Sequence, residues 1–258
     1  TAFHPLGYRA MVMTTELPKT STTLVQAVQI WNVSKKLDLL SSYGDISSLS
    51  FVQKVVSDRL PHLERTPEGA WLGLPMSPQG KTEAVVVLFC KIEKVALELW
   101  HPGAMGKLEL SQGVYGDKHV EEVSQGTRFG VLEGLPSQTF DGAEPVLFEN
   151  LSRQRGFLRA EAAAEAGLVA GLGIPLLEHD SVTAALVLLT SRETPLAQNI
   201  EVWKSDQRTA TFELSPSDSN FILVGEVYKQ RFPVLRNNVL ALPSFKGGKV
   251  SSVVVMKF

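Results

Sequence analysis

The residues able to do chemistry are few and scattered. His4, His62, His101, His119 and His179 share no spacing that would bring two imidazoles onto one metal ion. Cys90 is the only cysteine, so no thiolate pair completes a zinc set and no internal disulfide forms. It closes the apolar run TEAVVVLFC, where a thiol reads as a small buried hydrophobe rather than a nucleophile. His179, Asp180 and Ser181 are the three residue types of an acyl-transfer triad, but all fall in one hairpin turn and cannot simply converge on one substrate. Gly167, Gly171 and Gly173 imitate a dinucleotide loop. They lead from a helix into a strand, however, the reverse of the order that turns backbone amides toward a pyrophosphate. Glu161 and Glu165, four apart, make a solvated helix face. The sequence therefore predicts no catalytic residue, no metal site and no cofactor.

What recurs is aromatic and apolar. GLPMSPQGKTEAVVVLF (73–89), GIPLLEHDSVTAALVLL (173–189) and ALPSFKGGKVSSVVVM (241–256) repeat one phrase, a proline-bearing strand, a turn and an apolar strand. A tryptophan strand follows at a near-constant distance. Pro5 to Trp31 is 26 residues, Pro75 to Trp100 is 25 and Pro175 to Trp203 is 28, whereas nothing after Pro243 completes the pattern. Such recurrence in degenerate units makes Trp31, Trp100 and Trp203 packing anchors rather than binding platforms.

The elements that must position these residues read as strands and helices in alternation. TEAVVVLFC, TAALVLLT and SSVVVMKF are short, Val-rich and bounded by turn residues; ALELW, IEVW, KLELS and TFELS alternate apolar and polar. Helical spacing marks SFVQKVVSDRLPHL, KHVEEVSQGTRFGVL (interrupted by Gly126 and Gly130) and FILVGEVYKQRFPVL, one after each strand set. The middle connection is longer by about thirty residues and adds a further short helix in GFLRAEAAAEAGLVAG, stopped by Gly167. Links between strands are too short for parallel crossovers. The expected class is α+β: antiparallel sheets with helices packed on them, in tandem units with internal pseudo-symmetry. Their spans are 24–92, 93–197 and 198–258, after an orphan strand segment at 1–23 that pairs with another unit.

From about Val95 to Ser191 the residues resemble the GAF-domain family. RFGVLEGLPSQTFDGAEPVLFENL resembles the GAF stretch in which a Gly-Leu-Pro turn leads into a helix, then a Glu-Pro-Val strand and an Asn-Leu loop. AAEAGLVAGLGIPLL and SVTAALVLLTS are similar to the family's short helix, Ile-Pro strand and following central strand. The flanking units resemble the same fold without its middle loop. The resemblance implies sheets of five or six strands with helices on one face. Cys90 does not match the cysteine placements expected of GAF-like methionine sulfoxide reductases or bilin-binding photoreceptors.

Two functions fit this reading. Charge near neutrality (net −2) leaves no basic footprint for nucleic acid, and no apolar run is long enough for membrane insertion. A lone cysteine suits an intracellular or organelle interior. The first function is a non-enzymatic structural protein that assembles with itself, with Val253, Val254, Val255 and Met256 as the assembly strand. A scaffold, sheet or shell is its form, as in the coat of a carbon-fixing compartment. The second is a sensory module that binds a small effector such as a nucleotide, in a pocket near Phe140, Phe148, Phe157 and Arg159.

Overall fold

The computed structural model describes residues 23–78, 80–154, 156–178, 181–205, 207–213 and 220–258. All but Thr23 of the segment expected at 1–23 lies outside these, as do His179 and Asp180. The first strand set folds as β1 (Val25–Asn32), β2 (Asp38–Tyr43), α1 (Leu49–Asp58), β3 (His62–Arg65), β4 (Ala70–Met76) and β5 (Ala84–Cys90). The middle set gives β6 (Val95–Pro102), β7 (Leu108–Tyr115), α2 (Lys118–Gly126), β8 (Arg128–Phe129), α3 (Gly134–Gly142) and β9 (Val146–Phe148). It continues with α4 (Ala160–Glu165), β10 (Ala170–Glu178) and β11 (Ser181–Thr190). The last set gives β12 (Asn199–Lys204), β13 (Gln207–Glu213), α5 (Phe221–Gln230), β14 (Val234–Arg236), β15 (Val239–Lys246) and β16 (Lys249–Lys257).

These strands form three antiparallel sheets in one order: β2-β1-β5-β4-β3, β8-β7-β6-β11-β10-β9 and β13-β12-β16-β15-β14. The middle sheet differs only by its extra edge strand, β8. The expected α+β architecture of repeated antiparallel units is borne out. The three Val-rich runs, β5, β11 and β16, hold the same central place. Each recurrent proline also holds one place: Pro75, Pro175 and Pro243 pair with Val85, Ala185 and Val253. In every unit the outer neighbour ends two residues earlier, at Gly73, Gly173 or Ala241, so the missing proline N–H costs no ladder bond.

The central strands are apolar on both faces because both faces are buried. Val85 and Val87 of β5 pack outward under α1, while Val86 and Leu88 point inward. Val187 and Leu189 of β11 face the helices, and Leu186 and Leu188 face inward. Val253 and Val255 of β16 face α5, and Val254 and Met256 face inward. The inward faces of all three sheets merge into one core. Around it the edge strands meet in cyclic order: β3 packs on β6 and β7, β9 on β13, and β14 on β1 and β2. The last contact closes the ring. Phe258 stacks on Tyr43 with ring centroids 5.8 Å apart, and the Leu24 N–H donates to the Pro195 carbonyl at 2.8 Å. Head-to-tail contacts that close in this way leave no open end to propagate.

This corrects the role expected of Val253, Val254, Val255 and Met256. β16 pairs along its length with β12 on one side and β15 on the other, and all four side chains are buried. An internal strand has no free edge to offer a second copy.

A second correction concerns the helices. α1 crosses Gly73 so closely that a Cβ there would lie 2.5 Å from a Val55 methyl carbon. In the middle unit the helix over the matching Gly173 is α3, where a Cβ would fall 1.9 Å from Thr139 Oγ1. The counterpart of α1 and α5 is thus α3 and not α2. α2 and α4 belong to the added connection. α2 ends at Gly126, and α4 is stopped by Gly167 in a left-handed conformation (φ +72°).

Candidate functional site

One polar motif recurs beneath the helices. Two residues before each anchor tryptophan stands Gln29, Glu98 or Glu201, on the same strand face as the ring. Each accepts the indole N–H: Trp31 to Gln29 at 3.0 Å, Trp100 to Glu98 at 2.9 Å and Trp203 to Glu201 at 2.7 Å. Glu98 and Glu201 are completely buried. Alternation along ALELW and IEVW places these carboxylates opposite the inward Leu97, Leu99 and Ile200. The face they occupy is the helix-covered core, not solvent. Spacing alone did not single them out, although Gln/Glu-x-Trp repeated at three equivalent places was a signal in the sequence.

Each unit satisfies this polar group differently. In the first it is neutral: Gln29 donates to the Ile46 carbonyl at 3.0 Å and accepts from the Ser48 hydroxyl. In the third, Arg208 reaches Glu201 at 3.3 Å from a half-exposed position and also binds Glu213 at 3.1 Å. In the middle unit the added connection supplies a dedicated partner. Arg159, just before α4, is fully buried and grips both oxygens of Glu98, its Nη2 at 2.9 Å from Oε2. Ser124 of α2 donates to Glu98 Oε1 at 2.8 Å. The guanidinium is boxed by Trp100, Phe129 and Phe157, its carbon 5.4, 5.6 and 5.9 Å from the three ring centroids. A bidentate pair capped by ring faces suits arginine and no other cation.

The expected pocket residues therefore come together, but as a filled core. Phe148 and Phe157 are buried in the cluster around Trp100 and Arg159, and Phe140 packs partly against it from α3. One polar atom remains over: among the described residues Arg159 Nε has no hydrogen-bond partner. The Tyr115 hydroxyl joins the Glu98 and Ser124 side chains. Burial, followed by the Glu98 charge, pushes the Tyr115 pKa well above its usual value.

The other sequence candidates are dispersed. Cys90 lies in the common core between the sheets, and burial pushes its pKa up to about 12, so it stays a thiol at neutral pH. Burial lowers the pKa of half-buried His101. No group of three or more His, Cys, Asp or Glu among the described residues could hold a metal ion. Gly171 and Gly173 sit in β10 beneath Leu135 and Thr139, where they let α3 approach. Trp100 and Trp203 are buried and Trp31 is partly buried, each in the helix-side cluster of its unit.

Along the middle unit the segments follow the order that the resemblance implied. The Gly-Leu-Pro turn opens α3, Pro145 leads into β9, Asn150 and Leu151 form a turn, and α4 precedes β10 and β11. The unit is GAF-like. No protein-family model matches the chain, and no match was found among curated proteins. Among solved structures it is similar to an NreA protein of Staphylococcus aureus mutated in its nitrate binding site. Identity is 14%, over 40% of this chain and 77% of that one, with a TM-score of 0.34. It is also similar to the GAF domain of a phosphoenolpyruvate-protein phosphotransferase (ptsP) from Coxiella burnetii. Here identity is 19%, over 38% of this chain and 57% of that one, with a TM-score of 0.32. A third is a type II free methionine-R-sulfoxide reductase from Thermoplasma acidophilum, at 12% identity over 39% of this chain and 62% of that one, with a TM-score of 0.30. The chain thus spans less than two thirds of the last two structures.

Proposed function

We propose that the protein is a non-enzymatic structural module of three GAF-like units closed into one body. It acts through its surface, by docking on other macromolecules, further copies of itself included. The observation that carries this reading is the filled interior of the middle unit. The space under the added connection is taken by Arg159, Glu98 and three aromatic rings. In the flanking units the equivalent polar group is met by the chain itself. A small ligand entering any of them must displace an existing hydrogen-bonded contact.

An effector-binding reading has one observation in its favour: Arg159 Nε is buried and has no hydrogen-bond partner among the described residues. A small anion could use it, with the other guanidinium nitrogens, if Glu98 let go of them. One set of measurements separates the readings. Thermal melts and calorimetric titrations with nitrate, short carboxylates and nucleotides should give no saturable stabilisation. Sedimentation across protein concentration should show association through the surface. A saturable anion response that is lost in R159M refutes the structural reading and establishes the effector site.

A further inference from the structure

The helix side of the first sheet carries an aromatic pair that the other two sheets lack. Trp71 of β4 and Phe89 of β5 are cross-strand partners, with ring centroids 4.9 Å apart. The matching partners are Gly171 and Leu189 in the middle sheet, and Val239 and Lys257 in the last. In the middle unit the loop after β9 lies over this place: a Cβ at Gly171 would be 3.2 Å from a Leu151 methyl carbon. The first unit has no such loop, because β3 turns straight into β4, with the Thr66 N–H donating to the Gly69 carbonyl at 2.8 Å. Phe51 of α1 flanks Trp71 at 5.7 Å, and both Trp71 and Phe89 are left only part-buried among the described residues. Beside Trp71 opens a hollow of about 290 Å³, lined also by Ser47, Ser50, Phe51, Lys54 and Glu64. Part-exposed rings at a place that the middle unit covers mark a seat for further chain.

We propose that the chain's own segment 1–22 docks here, laying Met11 and Met13 on the rings of Trp71 and Phe89. Its point of departure supports the choice of occupant. Thr23, the first described residue, stands two residues before Val25, which pairs with Cys90, the neighbour of Phe89. The Leu24 carbonyl accepts the Lys91 N–H at 2.9 Å, which fixes that departure at the same end of the sheet. Length suffices. Phe89 and Trp71 lie one and two strands from β1, about 5 and 10 Å away. The 23 − 13 = 10 residues back to Met13 reach up to about 33 Å. Chemistry agrees as well. Arg9 is the single charge between Leu6 and Thr15, so this run gains by leaving water. Met11 and Met13 fall on one side of an extended run, about 7 Å apart, close to the spacing of the two rings. A thioether also packs favourably against an aromatic ring. The first unit is then closed by the segment that precedes it, as the middle unit is closed by its added connection. The proposal stands independently of the surface-acting reading.

The test uses the full chain and hydrogen exchange read by mass spectrometry. Residues 8–14 should exchange at least about tenfold more slowly than in a synthetic peptide of residues 1–22, at every protein concentration. M11E/M13E and, separately, W71A should each return them to the peptide's rate. β11 and β16 should keep their protection in both variants, which shows that the chain still folds. Should W71A fail to fold, a nitroxide on T15C in the C90A chain locates the segment instead. It is expected to broaden the amide resonances of Glu64, Trp71 and Phe89. Peptide-like exchange of residues 8–14 in the parent overturns the proposal. Protection that survives M11E/M13E or W71A, or a nitroxide that leaves those three resonances sharp, places the segment elsewhere and overturns it too. Protection lost on dilution makes a second copy's segment the occupant, with the same consequence.

Discussion

Removing Arg159 should be among the most damaging single changes in the helix-side cores. R159M keeps an apolar stem but leaves Glu98, completely buried, with hydrogen bonds from uncharged partners such as Trp100 and Ser124 and no counter-charge. Stranding one member of a buried ion pair costs about 3–5 kcal/mol. The first unit indicates how the loss can be relieved. There the same strand position carries a neutral Gln29, whose amide oxygen accepts the Trp31 indole N–H at 3.0 Å without any arginine. E98Q placed on R159M should therefore recover much of the loss and bring the double variant to within about 2 kcal/mol of the parent. E98Q alone leaves a buried guanidinium short of its counter-charge and should cost a similar 3–5 kcal/mol. Urea unfolding followed by circular dichroism gives all four corners of the cycle. A loss below about 1 kcal/mol in R159M would refute the reasoning, because a hydrated, loosely held pair has that value. A double variant worse than the sum of the singles would refute it too.

Three further outcomes follow from the packing. Deleting residues 250–258 removes the strand between β12 and β15 and exposes the inward core. Burial of Val253, Val254, Val255 and Met256 is worth on the order of 6–10 kcal/mol gross, comparable to a whole domain's net stability. The truncated chain should lose its cooperative melt, and a folded monomer with an unchanged melt would contradict the topology. G173A should cost about 1–3 kcal/mol by urea titration, since its Cβ meets Thr139 under α3; a neutral result would mean that α3 shifts freely. In alkali, burial keeps Cys90 protonated up to about 12, whereas the unfolded thiol ionises near 9. The unfolded state then binds fewer protons, so stability should fall by about 1.4 kcal/mol per pH unit from pH 9 upward, and C90A should lack this onset.

The repeat was readable because its causes are local. A proline that must sit past the end of a neighbouring strand, and a Val-rich strand buried on both faces, leave their mark within a few residues. The same logic located β5, β11 and β16 and grouped Phe148, Phe157 and Arg159. It failed where the cause is distant. Nothing near Glu98 announces that Arg159, sixty-one residues on, will neutralise it, so an alternating strand looked half solvated. Nothing in KVSSVVVM says whether its two edges are filled by β12 and β15 or by another molecule, and pairing with both is set by the ring closure. Of the glycines that resembled a phosphate loop, Gly171 and Gly173 are explained only by α3, whose position above β10 depends on the whole middle unit.

That the three units share one core is the claim on which the rest depends, and native-state hydrogen exchange tests it most directly. The slowest amides of β5, β11 and β16 should open with one common free energy and one common denaturant slope. Leu88, Leu188 and Val254 belong to a single inward cluster that can only open as a whole. Separate free energies with smaller slopes for the three strands would show independently folding units. They would contradict the closed body proposed here.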